Sequence, residues 1–317
     1  MTEIGYTLSS EEHGPNDLVD HARKAEEIGF DFLSISDHYH PWVPEQGDAP
    51  FVWSTLGGVA EATTDVDVGI GVSAPIMRIH PALYAQASAT AATMFEGREF
   101  YAGVGTGESL NEHIYGDHWP EHAVRLEMLE EAVDVIRSLW TGEEVSHRGE
   151  HYTVENAQLF TLPEETPPIC VSAYGPRAAQ AAADVGDGFW AVGPQDTVET
   201  WEENGGEGPR FCQLTACVAD SEEEAVSTAH EQWPNSGLAG EMTAILPTPS
   251  HFEQATEMVS EDDIAESSML CGPDAQPHID SIQRAIDAGY DHVYVHQVGD
   301  DQDALFELYE EEVLPSF

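Results

Sequence analysis

The sequence predicts an α/β fold, a single (β/α)8 TIM barrel over residues 1–317 with insertions. Strand-like and helix-like segments alternate from one end of the chain to the other, about eight times, with no linker between them. Repeated strand–helix units favour parallel pairing, and about eight of them favour a closed barrel over an open sheet. Polar or glycine-rich residues follow four of the strands, where a barrel gathers its strand ends into one mouth.

The first half of the chain contains four strand–helix units. In the first helix, Leu18, Ala22, Ala25 and Ile28 recur on one stripe, as an amphipathic helix requires. The predicted strands and helices alternate in the order Ile4–Leu8, Pro15–Ile28, Phe30–Ser36, Val52–Thr63, Val66–Ser73, Pro81–Met94, Arg98–Val104 and Ala123–Trp140.

The second half repeats this alternation, with two interruptions. Its predicted elements are Pro168–Ala173, Arg177–Val185, Gly188–Val192, Thr197–Glu202, Phe211–Val218, Glu222–Gln232, His278–Ala288, His292–Gln297 and Gln302–Val313. The interruptions are a small hairpin at about 149–160 and an insertion at about 234–265. Insertions of this kind lie on the loops of a barrel and can close over a ligand.

The charge of the chain is extreme, with 60 Asp and Glu against 10 Lys and Arg and a formal net charge of -50. Such a chain repels itself at low ionic strength, and molar salt shortens the screening length to about 3 Å. We therefore predict a cytoplasmic protein of a salt-accumulating halophile. An acidic protein that binds a basic partner is the competing interpretation, but the acids are spread along the whole chain. The lack of a basic stripe argues against nucleic acid as a partner.

The cysteines and the amino terminus limit the other classes. Cys170, Cys212, Cys217 and Cys271 form no CxxC pair and no metal-ligand spacing, so we expect reduced thiols and no metal site. The first residues do not resemble a signal peptide, and no apolar run is long enough to span a bilayer. These features predict a soluble intracellular protein with no membrane partner.

The segment from Ser36 to Trp42 combines an acid, two imidazoles and an indole directly after a predicted strand. Clusters of titratable and aromatic side chains at the carboxyl end of a strand are typical of barrel active sites. The other interpretation is a helix N-cap at Ser36 or Asp37 followed by a surface loop with incidental histidines.

Three further strand ends are rich in glycine or polar residues. They are residues 69–73 (GIGVS), 103–108 (GVGTGE) and 172–176 (SAYGP). The GVGTGE run follows the fourth strand and lacks the spacing of the dinucleotide fingerprint GxGxxG. Glycines there would let the backbone approach a flat ligand and leave its amides free to donate.

In combination, these motifs resemble the luciferase-like superfamily of flavin and deazaflavin barrels. The resemblance covers nearly the whole chain and includes SDHYHPW at 36–42, GVGTGESLNE at 103–112, GEHY at 149–152 and GDGF at 186–189. The most similar branch uses the deazaflavin coenzyme F420, and its type members oxidise glucose 6-phosphate or secondary alcohols. The resemblance thus implies an F420-dependent oxidoreductase that transfers a hydride between the deazaflavin and a sugar, secondary alcohol or related small molecule.

The resemblance assigns catalytic roles to His38, Glu108 and Trp42. His38 would take the hydroxyl proton as the substrate carbon passes its hydride to F420, and an imidazole titrates in the range suited to this step. Glu108 would meet the pyrimidine edge of the deazaflavin and donate a proton, which requires an enclosed site that favours the neutral acid. Trp42 would form a wall of the substrate pocket. Glu11 matches a further acidic position of this pocket, although acidic surface is the other interpretation.

The resemblance also implies a set of cofactor-binding positions. Asp37 would orient or contact the ring system, and a non-proline cis peptide at Gly71 and Val72 would lie against it. Arg78 is one of the few cations that could balance the phosphate and carboxylates of the cofactor. Asn111 and Tyr174 have a second interpretation as ordinary loop residues. The full set is Asp37, Gly71, Val72, Arg78, Thr106, Asn111, Ala173, Tyr174 and Gly175.

The chain departs from the sugar-phosphate members at the substrate phosphate. Those members use lysines and an arginine on late barrel loops, whereas the sole lysine here is Lys24, in the first helix. Gln195 and Ser267 stand where two of those cations are expected. A dianionic phosphate without a nearby cation is poorly held, so a neutral sugar or secondary alcohol is the better prediction. Reduction of an activated double bond or ketone is also open.

Two alternatives remain from sequence. One is an FMN-dependent luciferase-like monooxygenase, which differs in its cofactor affinity and its need for oxygen. The other is a non-catalytic flavin- or deazaflavin-binding protein, which would not need His38, Trp42 and Glu108 together. The resemblance further implies a homodimer.

Overall fold

The computed structural model describes residues 2–238 and 240–317. Within this part of the chain, strands β1–β11 are Glu3–Leu8, Phe32–Ile35, Asp67–Ile70, Phe100–Val104, Val145–Arg148, Thr153–Ala157, Ile169–Ser172, Gly188–Val192, Arg210–Cys217, Leu270–Cys271 and His292–Gln297. Eight of them pair in parallel in the cyclic order β1, β2, β3, β4, β7, β8, β9 and β11, and β11 pairs with β1 to close the barrel. The structure thus confirms the predicted barrel.

Helices connect these strands. In chain order, α1–α13 are Pro15–Ile28, Val52–Ala62, Pro81–Met94, Ser109–Glu112, His122–Leu139, Pro176–Val185, Thr197–Glu203, Glu222–Gln232, Met242–Ile245, Pro249–Thr256, Glu261–Ala265, Ala275–Asp287 and Gln302–Leu308. Helix α12 begins three residues before its prediction because the side chain of Asp274 caps it by accepting the amide of Gln276. None of the described helices is long and apolar enough to cross a membrane.

The two interruptions are present, with different boundaries. The hairpin pairs β5 with β6, so its first strand precedes the predicted start at Gly149. The carboxylate of Glu131 accepts the amides of Glu150, His151 and Tyr152 and so fixes the turn between the strands. The insertion folds into the short helices α9, α10 and α11.

The barrel interior is filled with aromatic side chains. Trp190 and Phe211 stack with ring centroids 4.1 Å apart. The indole of Trp190 reaches the strand segment that contains Gly69 and Gly71. A Cβ would lie 2.9 Å from the indole at Gly69 and 2.7 Å from it at Gly71, so any side chain at these positions would clash with Trp190. Because the interior is packed, a ligand has to bind at the mouth formed by the carboxyl ends of the strands.

His292 closes the opposite end of the barrel. Its Nδ1 lies 2.7 Å from Asp291 and its Nε2 lies 3.2 Å from Glu3. Burial opposes the charged form, but these two carboxylates outweigh it and raise the pKa of His292 to about 9.

We expect this raised pKa to make part of the stability pH-dependent. A histidine whose folded pKa exceeds its unfolded value of about 6.5 contributes its full stabilisation below that value and loses it as the pH rises through about 9. The difference in unfolding free energy between wild type and His292→Gln should therefore be larger at pH 6 than at pH 10, measured by denaturant titration in molar KCl. An equal difference at both pH values would contradict this assignment.

Candidate active site

The loops that follow β1 and β2 meet at the mouth of the barrel. The amide of Ser10 donates to the hydroxyl of Ser36 at 2.9 Å, and the hydroxyl of Ser10 donates to the backbone oxygen of Ser36 at 2.7 Å. These bonds bring Glu11, which follows β1, beside His38, which follows β2. The cluster predicted from the sequence is therefore held at a strand end by the neighbouring loop.

His38 is oriented through both ring nitrogens. Its Nδ1 lies 3.0 Å from the carbonyl oxygen of His40, and its Nε2 lies 3.2 Å from a carboxylate oxygen of Glu11. A carbonyl oxygen can only accept, so Nδ1 carries a proton in this contact, and the carboxylate of Glu11 would accept a proton placed on Nε2. An imidazole in this tautomer can take a proton at Nε2.

Glu11 is a buried carboxylate with polar support. The hydroxyl of Ser36 donates to its Oε2 at 2.5 Å. Burial would raise the pKa of Glu11, but His38 and this hydrogen bond, helped by His296, outweigh burial and lower it. Glu11 is therefore ionised at neutral pH and would stabilise a proton on Nε2 of His38.

Trp42 forms an apolar wall next to His38. The two rings have centroids 5.0 Å apart, and Trp42 packs edge-on against Phe252 of α10 at 5.2 Å. Val43, Leu110 and Phe252 form a buried cluster here, joined by Leu238 and Leu246. The insertion thus covers the side of the mouth where Trp42 lies.

Asn111 fixes the loop that carries His38. It is buried, and its side-chain oxygen accepts the amide of Tyr39 at 2.9 Å and that of His40 at 3.2 Å. These contacts give Asn111 a role in orienting His38, beyond the cofactor contact implied by the sequence.

Arg78 and Asp37 contact each other. Nη2 of Arg78 lies 2.9 Å from Oδ1 of Asp37, and the hydroxyl of Ser73 donates to the other carboxylate oxygen. Arg78 also bonds Glu112, whose Oε2 accepts the backbone amide of Arg78 at 2.6 Å. Burial, with smaller contributions from Asp37 and Glu108, raises the pKa of Glu112 to about 7 against the effect of Arg78. The sequence prediction did not include Glu112, because only its burial distinguishes it from the many surface acids.

The remaining predicted positions lie around the same mouth. Glu108 is the residue before α4 and is half-buried, as is Thr106. The peptide bond between Gly71 and Val72 is cis, as the resemblance implies. After β7, Ala173 is buried, Tyr174 is exposed and Gly175 precedes α6.

A second carboxylate–imidazole pair lies beside Glu11 and was not predicted. Nε2 of His296 lies 2.7 Å from Oε2 of Glu12, and both side chains are 2% exposed. The hydroxyl of Ser9 donates to the same oxygen at 2.8 Å, and the amide of Gly299 donates to Oε1 at 2.8 Å. This pair joins the loop after β1 to the end of β11. Among the described residues, no group of three or more histidine, cysteine or acidic side chains is arranged to hold a metal ion.

The fold is a closed parallel barrel, and a histidine, acidic residues and a glycine-rich loop lie at its mouth. These features are typical of barrels that bind a small ligand at the carboxyl ends of their strands. Comparison with known proteins identifies the family. The model of the luciferase-like monooxygenase family matches residues 1–292. This chain belongs to the luciferase-like family, as the sequence motifs predicted.

Individual relatives match over almost the full length of the chain. An F420-dependent glucose-6-phosphate dehydrogenase of Nakamurella multipartita is 36% identical and covers 98% of this chain and 95% of its own. One of Microbacterium testaceum is 34% identical over 98% of this chain and 96% of its own. The solved structure of an F420-dependent secondary alcohol dehydrogenase with an F420–acetone adduct has a TM-score of 0.91 and 30% identity, over 99% of this chain and 98% of its own.

Proposed function

We propose that this protein is an F420-dependent oxidoreductase that transfers a hydride between the deazaflavin and a neutral alcohol. The observation that carries the proposal is the His38–Glu11 pair, in which Nε2 of His38 lies 3.2 Å from a buried carboxylate whose pKa is lowered. Full-length relatives named as F420-dependent dehydrogenases support the cofactor and the reaction class. These relatives bear out the F420-dependent class predicted from the sequence.

The mouth fits a planar ring system with an anionic side chain. A Cβ built at Gly175 would meet no atom within 4 Å, so the backbone is open to a ligand there. Arg177 follows Gly175 by two residues in the sequence. Burial lowers the pKa of His122, and the nearby charges of Arg125 and Arg177 lower it further. Two guanidinium groups, those of Arg125 and Arg177, therefore lie near the starts of α5 and α6, in a chain with few cations. Backbone at Gly71, Val72, Thr106, Ala173 and Gly175 would hold the ring system.

The residues of this chain supply proton transfer and orientation. When bound, F420 supplies the hydride acceptor. His38 would take the proton of the substrate hydroxyl on Nε2, and Glu11 would stabilise the imidazolium that forms. Glu108 would hold the proton that is delivered as the hydride arrives. Trp42 and the insertion would limit access of water to the reacting atoms.

The charges around the mouth favour a neutral substrate. The guanidinium of Arg78 is already paired with two carboxylates. Gln195 and Ser267 stand at the two positions where sugar-phosphate members need cations. Both side chains donate to backbone oxygens three residues earlier, Gln195 to Val192 O and Ser267 to Ile264 O. Neither of these two side chains would offer a positive charge to a phosphate dianion. Together with the apolar wall at Trp42, this supports a secondary alcohol over glucose 6-phosphate.

A Gly175→Ala variant tests the placement of the cofactor. With φ of -150° the backbone accepts any residue, and the new methyl group would meet nothing, so the unfolding temperature should not change. The methyl group would occupy space that the ligand needs, and we expect the affinity for F420 to fall by about tenfold or more. Fluorescence titration measures this affinity. Unchanged affinity would place the ring system elsewhere.

We further propose that the protein is a homodimer that associates through α2 and α3. These helices have 11 and 14 residues and contain a single charged residue, Glu61, although 22% of the chain is charged. Leu83 is 54% exposed and Met94 is 41% exposed on this face, beside a groove of about 230 Å³. Between two copies of an acidic chain, an uncharged face is where association meets the least repulsion.

A Leu83→Glu variant should therefore be monomeric where the wild type is dimeric, because burial of the new carboxylate in the interface would leave it unpaired. Analytical ultracentrifugation in molar KCl measures the oligomeric state of the variant and of the wild type. Met258→Glu is the matched control, since Met258 is 89% exposed on a distant segment. If Leu83→Glu remains dimeric, the interface lies elsewhere.

We also propose a cytoplasmic location in a salt-accumulating cell. Acidic residues gather on exposed helix starts, with three in the first turn of α8 and three in that of α11. Such a surface stays soluble when molar salt screens its repulsion.

Titration of the purified protein with oxidised F420 and with FMN, in molar KCl, tests the cofactor assignment. We expect micromolar binding of F420, observed as a change in deazaflavin fluorescence, and no comparable binding of FMN. Preference for FMN would overturn the proposal in favour of a monooxygenase.

A further inference from the structure

A buried network of charged side chains joins three loops at the mouth and takes part in no step proposed above. Its centre is the guanidinium of Arg78, whose side chain is 6% exposed, between Asp37 and Glu112, each 1% exposed. Nη2 lies 2.9 Å from Asp37 Oδ1 and donates to the backbone oxygen of Asp37 at 3.3 Å, while Nε lies 3.4 Å from Glu112 Oε1. The backbone amide of Arg78 adds a fourth bond, to Glu112 Oε2.

Each partner of Arg78 adjoins a residue of the proposed site. Asp37 precedes His38 in the loop after β2. Glu112 ends the short helix α4, which begins directly after Glu108 and also contains Asn111. A single side chain on the loop after β3 therefore ties the segment that carries His38 to the segment that carries Glu108.

We infer that Arg78 is a positioning residue that sets His38 and Glu108 relative to each other, and does not bind the anionic part of the cofactor. The inference rests on the proposed function. To bind a phosphate, the guanidinium would have to leave two buried carboxylates without their cation, which is strongly unfavourable. From the sequence, Arg78 was predicted to balance the phosphate of the cofactor, because the sequence does not show that two carboxylates of the chain already contact its guanidinium.

The charge balance explains why removal of Arg78 should move the loops. Asp37 and Glu112 face the same guanidinium, and burial already raises the pKa of Glu112 to about 7 while Arg78 counteracts the rise. Without the guanidinium, two acids would share a site that excludes water. Separation of the loops would relieve this and would carry His38 away from Glu108.

The apoprotein provides the first test. In ¹⁵N-labelled protein in molar KCl, we expect Arg78→Met to shift or broaden the ring resonances of His38. Arg98→Met is the matched control, because Arg98 is a partly buried arginine that bonds Thr63 Oγ1 and Ala60 O, away from His38. Unchanged His38 resonances in Arg78→Met would overturn the inference. This comparison needs no F420, so it holds even if the proposed function fails.

The loaded enzyme provides the second test. A displacement of His38 by about 1 Å relative to Glu108 lowers the rate of the chemical step more than it lowers ligand affinity. We therefore expect Arg78→Met to lower kcat by about 30-fold or more. The Kd for F420 and the KM for the alcohol should change less than about threefold, since neither ligand loses a contact. Kd weakened by about tenfold or more, with kcat at saturation unchanged, would make Arg78 a cofactor ligand and overturn the inference.

Arg78→Lys decides the matter if Arg78→Met does not fold. Lysine keeps the charge but lacks the planar fork that spans two carboxylates. We expect kcat to fall by about fivefold or more with unchanged affinity for F420. Lysine is a good phosphate ligand, so wild-type kcat and affinity in Arg78→Lys would favour the cofactor role and contradict positioning.

Discussion

Replacement of His38 by alanine is expected to lower kcat for alcohol oxidation by about 10²- to 10⁴-fold while F420 still binds. The reason is the geometry of the pair, in which Nε2 of His38 faces the carboxylate of Glu11 at 3.2 Å while Nδ1 is held by His40 O. No other described imidazole is oriented in this way beside Glu11. Deazaflavin bleaching measures the rate, and fluorescence titration measures binding.

The control for this prediction is His118→Ala, since His118 lies in an exposed loop outside the site. It should leave both kcat and binding unchanged. Alanine at 38 also leaves room for a small base, so added imidazole should restore part of the lost rate. Full activity of His38→Ala would remove the histidine from the proton transfer and would leave a binding role as the better account.

Glu108→Gln is expected to lower kcat by about 10²-fold or more, because glutamine has the shape of glutamate but cannot deliver a proton. Glu108 is half-buried directly before α4, at the end of the glycine-rich segment. Stopped-flow bleaching of F420 isolates this step from product release. Glu121→Gln is the control, as Glu121 is an exposed residue before α5. A normal rate in Glu108→Gln would assign the proton to another donor.

The barrel and the clustering of His38 and Trp42 at a strand end were predictable because their signals are local. Hydrophobic periodicity placed α1, α3 and β11 at their observed bounds. The motif after the second strand pointed to His38 and Trp42 as candidates, and in the structure their ring centroids are 5.0 Å apart. The resemblance implied the cis peptide bond between Gly71 and Val72, which the structure contains.

The polar partners were not predictable because they are set by distant residues. Arg78 bonds Glu112, which is 34 residues away in the sequence, and His296 contacts Glu12, which is 284 residues away. In a chain with 60 acids, sequence does not distinguish the buried carboxylate from the solvated ones. Burial decides this, and burial depends on how the loops pack.

The most direct test of the central claim is the absorbance of oxidised F420, recorded with the purified protein in molar KCl and a panel of neutral secondary alcohols. We predict that at least one alcohol bleaches the deazaflavin catalytically, that glucose 6-phosphate does not, and that His38→Ala abolishes the bleaching. Bleaching by glucose 6-phosphate alone would contradict the assigned substrate class. Turnover that requires FMN and oxygen would contradict the proposed function itself.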